Sequence, residues 1–312
     1  MTEAPHLVSR AVLKTLLYAD IFDFPLTPRE IHHYLIQCHA TMAVVEAQLQ
    51  ALAASAYVEE CNGQVAIAGR SQLFEVRHER TRRSAQLWPL ARHWGTRLAA
   101  LPFVRMVGVT GALAVSNVGA RPDIDFLLVT APDRLWLCRA LAIALVKTAA
   151  MQGVQLCPNY LVTMRRLRFQ EHNLFTAHDL TQMVPLYGES AYRSMWEQNA
   201  WRKSFLPQAN SPLTPPRFVQ LSPKLQCFKI WTERALAGRV GARLEVWEQQ
   251  RKARKLYRQA PAGEVGRSDG LVFDSDVCKG HFGGHGQRTL QAYQTRLQHH
   301  GLEEGTEYAY RH

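Results

Sequence analysis

The sequence predicts a mixed α/β fold of the α+β type, in which a small mixed sheet is flanked by helical regions on both sides. Three observations predict it. Residues 7–19 (LVSRAVLKTLLYA), 42–54 and 135–151 repeat apolar side chains at helical spacing. The runs VRMVGVT, DIDFLLVT and QLCPNYLVT are β-rich and bounded by turn residues. These strands alternate with helix only between about residues 101 and 170, which confines the sheet to one part of the chain.

The first seventy residues read as helix, helix, helix, hairpin. Thr27-Pro28-Arg29-Glu30 is a capping box with proline at the first helical position, so a second helix begins near Pro28. After the 42–54 helix, YVEEC and QVAIA flank Asn62-Gly63, the dipeptide of a tight hairpin. This order resembles a winged helix-turn-helix domain over residues 1–70. Between Arg29 and Arg70 there is no lysine or arginine, whereas Glu30, Glu46, Glu59 and Glu60 all lie there. A recognition helix without cations does not neutralise phosphates, so a packing or partner-binding role is expected rather than DNA binding.

Residues 71–100 form a connecting helix carrying Arg77, Arg80, Arg82, Arg83, Arg92 and Arg97, read as a solvated face. A mainly helical region is expected over 171–312, with 172–205 largely helical. It is interrupted at 206–217 by LPQANSPLTPPR, whose four prolines mark a linker. Between Glu233 and Arg258 eight Lys or Arg stand against three Glu along a long amphipathic helix. The tryptophans at 88, 94, 196, 201, 231 and 247 lie in helical patterns and are expected in cores or interfaces.

Composition excludes several classes. Hydrophobic residues at 47% and charged residues at 20% are globular proportions. The most apolar segment, 135–151, is interrupted by Arg139 and Lys147, and MTEAPHLVSR lacks the apolar core of a signal peptide, so a cytoplasmic protein without membrane partners is expected. Six cysteines contain no CxxC pair. The net charge of +11 favours nucleotides or acidic partners.

The chemistry concentrates at Val107-Gly108-Val109-Thr110-Gly111-Ala112 followed by Asp123-Ile124-Asp125-Phe126. In a strand Asp123 and Asp125 project to one face. Two carboxylates beside a glycine turn that opens a helix suit Mg²⁺ and a triphosphate, with Thr110, Gly111 and Ala112 lining the phosphate turn. This pattern resembles the nucleotidyltransferase superfamily with the DNA polymerase beta fold, an uncharacterised bacterial branch with an N-terminal winged helix. The resemblance covers about 105–163, within a domain of 101–170. It implies that Asp123 and Asp125 are catalytic residues and metal ligands, that two Mg²⁺ ions take part, and that an NTP is the substrate.

Two departures accompany it. Ala112 replaces the usual glycine or serine, and Asn159 stands on the third strand where the family often has a carboxylate. The expected activity is Mg-dependent transfer of a nucleoside monophosphate to a hydroxyl acceptor, which is a small molecule, a protein side chain or an RNA end. The alternatives are a degenerate nucleotide- or partner-binding protein, or a winged-helix nucleic-acid-binding regulator. Arg165, Arg166 and Arg168 are surface charges or face an anionic acceptor. Cys278, His281 and His285 stand in and just before GHFGGHG, whose glycines favour a turn over a metal cluster, and Lys279 and Arg288 are alternatively read as phosphate contacts.

Overall fold

The computed structural model describes residues 5–259, 272–279 and 284–302. The chain opens with α1 (Pro5–Asp20), α2 (Pro28–His33) and α3 (Met42–Ala54), followed by a hairpin of β1 (Val58–Cys61) and β2 (Gln64–Ile67). The capping box forms: the Thr27 N–H donates to Glu30 Oε2 at 2.7 Å and the Glu30 N–H to Thr27 Oγ1 at 3.2 Å. Asn62 and Gly63 take φ of 50° and 70°, the left-handed pair that matches the twist of a two-residue hairpin.

Helix α4 (Gln72–Ala99) then leads into β3 (Val104–Thr110), the single turn α5 (Gly111–Ala114), β4 (Ile124–Thr130), α6 (Leu135–Ala150) and β5 (Leu156–Thr163). Beyond them come α7 (Leu174–Gln182), β6 (Val184–Tyr187), α8 (Glu189–Gln198), α9 (Pro223–Leu236), α10 (Arg239–Gln259), β7 (Val272–Phe273), β8 (Val277–Lys279) and α11 (His285–His299). The six-stranded sheet has the order β6-β3-β4-β5-β8-β7. Only β4 and β5 run parallel, because α6 carries the chain back across the sheet between them.

Alternation along β4 divides the sheet into two packed faces. Phe126 and Leu128 join Trp88, Trp94 and Leu98 of α4 and Trp136 of α6 in one core. Leu127 and Val129 face the other way, against Leu180 of α7, Met183, and Tyr192 and Met195 of α8. Asp125 belongs to this second face.

Several elements differ from the sequence reading. The largely helical stretch expected at 172–205 contains β6, four residues at the sheet edge, paired to β3 through Pro185 opposite Gly108. Proline is compatible with an edge strand because the missing N–H faces away from the ladder. The outer side of β6 is closed by Arg217 N–H to Pro185 O at 3.0 Å and Val219 N–H to Leu186 O at 2.7 Å. The proline-rich segment 206–217 is anchored at its start: Leu206 and Ala209 are fully buried, and Gln208 accepts from Ala40 N–H at 3.1 Å and donates to His32 O.

The arginines of α4 divide. Arg82 and Arg83 pair with Glu79 at the surface, as a solvated face requires. Arg77 and Arg80 turn inward instead. Arg77 holds both oxygens of Glu30 at 2.8 and 2.9 Å, and Arg80 donates to Phe22 O at 2.9 Å and to Asn117 Oδ1 at 3.0 Å. The N-terminal helices are thereby tied to the loop after α5. They also share one core with the far end of the chain, since Val8, Val12 and Leu16 pack in the same cluster as Ala177, Leu206, Tyr293 and Leu297. Trp88 and Trp94 are buried, whereas Trp231 and Trp247 are 69% and 59% exposed.

Candidate functional site

The site begins at the end of β3. Thr110 is the last residue of the strand, opposite Asp125 of β4, and Gly111 turns the chain at φ +64°. A Cβ on Gly111 would strike Asp125 Oδ2, so only glycine both adopts this backbone and leaves the carboxylate its place. Ala112 follows in α5. The helix is one turn long, and its first N–H groups have no intrahelical acceptor.

Asp123 and Asp125 converge. Together with Cys157 of β5 they offer ligand atoms that all lie within 4.8 Å of one another, in partly buried positions. Asn159 Nδ2 donates to Asp125 Oδ1 at 2.7 Å. Burial first, and then the neighbouring Asp123, push the Asp125 carboxyl up to about 7, against the lowering effect of hydrogen bonds with Cys157 and Asn159. The same burial and the two carboxylates push the Cys157 thiol up to about 12. A proton or a cation relieves this crowding of charge, and a divalent cation relieves it best. Because the thiol keeps its proton, the oxygens are the donors available at neutral pH. Two carboxylates completed by phosphate oxygens are the ordinary setting for Mg²⁺.

The carboxylate pair opens into a cavity of about 860 Å³. Thr110, Gly111 and Ala112 line it beside the pair, so all five residues singled out from the sequence face one chamber. The N-terminal module forms another wall, through Tyr18, Phe22, Phe24, Leu26 and Tyr34. Arg166, Arg168 and Lys279 also reach it; Arg165 does not, being paired with Asp133 at 2.7 Å. Of the glycine- and histidine-rich segment, His281 lies outside the described residues. Cys278 is buried on β8, opposite Leu161 of β5, and His285 lines the chamber from the start of α11.

Helix α7 forms a further wall, held by packing on both sides. Ala177 packs into the N-terminal core, and Leu180 and the following Met183 pack into the sheet core. Gly108 permits the close approach of Met183, whose sulfur would lie 2.7 Å from a Cβ there. His178 stacks on Tyr18 with ring centroids 4.2 Å apart at 10°, and burial holds its imidazole down to about 3. Asp179 is left facing the chamber, exposed to its interior. The enclosing protein pushes its carboxyl up to about 7, with Lys279 opposing and Asp125 and Glu171 adding to the rise. The sequence reading missed Asp179. Its signal is faint: an acid on the side of a short helix left free by the apolar residues at 174, 177 and 180.

Comparison with protein-family models, with curated proteins and with solved structures found no match.

Proposed function

We propose that this chain transfers a nucleoside monophosphate from an NTP to a hydroxyl acceptor and releases pyrophosphate, with β3, β4 and β5 serving as a nucleotidyltransferase domain of the DNA polymerase beta type. The observation that carries the reading is the fit of the Gly111 turn to Asp125: the Asp125 carboxylate occupies the space a side chain at 111 would need, and a second carboxylate stands beside it. Asp123 and Asp125 would hold Mg²⁺, which supplies charge neutralisation for the triphosphate and acidifies the acceptor hydroxyl. Thr110, Gly111 and Ala112 present backbone N–H groups to the phosphates. Asn159 fixes the rotamer of Asp125 through its 2.7 Å hydrogen bond.

In this reading the helix-helix-helix-hairpin unit is a winged-helix module that serves as a chamber wall rather than a DNA reader. Its aromatic side chains shape the space beside the nucleotide. Among the described residues no helix is long and apolar enough to cross a membrane; we place the reaction in the cytoplasm.

Incubation of the protein with each labelled NTP, Mg²⁺ and a cell extract tests the proposal. The expected result is transfer of label to an acceptor from one or more NTPs, abolished by EDTA. The amide at Asn159 favours a second reading, nucleotide binding without transfer, which predicts Mg-dependent binding of NTP and no labelled acceptor.

A further inference from the structure

Transfer to a hydroxyl requires a destination for the hydroxyl's proton, and the chamber narrows the choice. Asp123 and Asp125 would hold the cation in the reading above, on which this inference rests. Asn159 is an amide and accepts no proton at neutral pH. Glu30 is held by Arg77 at 2.8 Å, and Glu171 is paired with Lys279. Asp274 accepts from the N–H groups of Asp276 and Val277 at 2.7 and 2.6 Å. His178 is buried in its stack on Tyr18, and His285, the chamber's other imidazole, already has an interaction of its own. Among the described residues Asp179 makes no hydrogen bond or ion pair through its carboxylate, and it is directed into the chamber by the packing of Ala177, His178 and Leu180 on either side of it.

We propose that Asp179 receives the acceptor's proton, so that the acceptor subsite is the part of the chamber between α7 and the aromatic wall of the N-terminal module. The acceptor oxygen forms a bond to the α-phosphorus of the NTP as its proton passes to the Asp179 carboxylate. The bond from the α-phosphorus to the bridging oxygen breaks, and pyrophosphate leaves with that electron pair. The aromatic and apolar character of Tyr18, Phe22, Phe24 and Leu26 fits a small organic alcohol with an apolar or ring-bearing body.

The groups that face Asp179 are Asp125 from β4, Lys279 from β8, Glu171 from the segment before α7, Tyr160 from β5 and Tyr18 from α1, with His178 beside it on α7; of these, Lys279 favours the ionised carboxylate, the form that accepts a proton.

The test uses the full chain with Mg²⁺, each of the four NTPs and glycerol as the hydroxyl probe. Pyrophosphate release is measured for the wild type and for Asp179→Asn, Asp179→Glu and Asp125→Asn, and binding of a fluorescent NTP analogue is measured in parallel. Asp179→Asn is expected to bind the Mg-nucleotide as the wild type does and to lose roughly 100-fold or more in release. Asp179→Glu recovers part of the loss, and the acidic limb of the wild-type pH profile is absent from the residual activity of Asp179→Asn. Circular dichroism confirms folding, and the Glu variant decides the matter should the Asn variant not fold.

Wild-type rates in Asp179→Asn overturn the inference. So does loss of nucleotide binding equal to that of Asp125→Asn, which makes Asp179 a metal-holding group. A wild type that binds Mg-nucleotide yet releases no pyrophosphate to glycerol or water overturns it as well. A wild type that binds no Mg-nucleotide at all overturns the transferase reading itself, a distinct result.

Discussion

Asn159 Nδ2 and Asp125 Oδ1 lie 2.7 Å apart, so an amide on β5 fixes the orientation of a carboxylate on the neighbouring strand. The donor hydrogen also favours the ionised form of that carboxylate, opposing the burial that disfavours it. Asn159→Ala therefore leaves Asp125 present but unheld, and more readily protonated. Magnesium affinity is expected to fall and the Mg²⁺ requirement at pH 7 to rise, with recovery at higher pH. Asp125→Asn is expected to abolish transfer at every Mg²⁺ concentration. Metal titrations of pyrophosphate release for the two variants check this; identical behaviour of the two refutes a supporting role for Asn159.

The turn at Gly111 makes a paired prediction with Gly63. Both glycines have φ near +70°, but a methyl at Gly63 meets nothing within 4 Å, whereas one at Gly111 meets the Asp125 carboxylate. Gly63→Ala is expected to cost about 1 kcal/mol of backbone strain and to leave nucleotide binding intact. Gly111→Ala carries the same strain and also displaces Asp125, so Mg-nucleotide binding is lost. Thermal melting and a nucleotide titration on the two proteins separate the effects.

The raised Asp125 carboxyl has a consequence for stability without metal. Its folded value of about 7 lies above the ordinary value of 3.8, so the native state holds this proton more tightly than the unfolded chain. That contribution is fully present below about pH 4 and is lost as pH rises through 7. Asp125→Asn is expected to raise the melting temperature at pH 8 in EDTA, by about 2–4 °C for each kcal/mol gained, and to bring no gain near pH 4. Melting curves across that range check the direction; a variant that melts lower than the wild type at pH 8 contradicts the electrostatic account.

His178 works with the opposite sign. Burial lowers its imidazole to about 3 from 6.5, so its contribution is present above pH 6.5 and is lost as pH falls toward 3. Among the described residues its Nε2 has no hydrogen-bond partner. His178→Phe keeps a ring against Tyr18 and removes the titration. The variant is expected to lose less melting temperature than the wild type between pH 6.5 and 4.5, read by differential scanning fluorimetry.

The N-terminal unit makes a prediction about partners. α3 carries Glu46 as its only charged residue, and among the described residues it packs on α1, α2 and β1 with most of its outer surface open. Gel shifts with duplex DNA at low salt are expected to show no complex that depends on residues 1–70. A complex lost on Glu-for-Ala changes in α3 would reverse this.

Legibility in the sequence followed the locality of each signal. The capping box at Thr27 and Glu30, the Asn62-Gly63 hairpin and the strand-glycine turn at Gly111 depend on residues a few positions apart, and each can be read directly. Strand β6 was not legible, because four residues containing Pro185 between two helices carry no period of their own. Strands β7 and β8 were hidden for a related reason: β8 joins the sheet by pairing with β5, more than a hundred residues earlier, and β7 only through β8. Arg77 and Arg80 could not be told from surface arginines, since their partners Glu30 and Asn117 are distant in sequence. Asp179 was missed on the same grounds.

The joint core of α1, α7 and α11 also bears on how the chain acquires its structure. Tyr18 meets Tyr293 edge-on at 5.5 Å, and Asp20 accepts from Arg296 at 2.9 Å, contacts that span nearly the whole length of the polypeptide. Loops of that size close late and at high entropic cost, so they belong to the slow, non-local stage of folding. Helix α1 leaves the ribosome long before α11 and must wait for it before its apolar face is fully covered. During synthesis that face is exposed to chaperones and to other nascent chains, and C-terminal truncations short of α11 are expected to aggregate even though every residue of the carboxylate site is present.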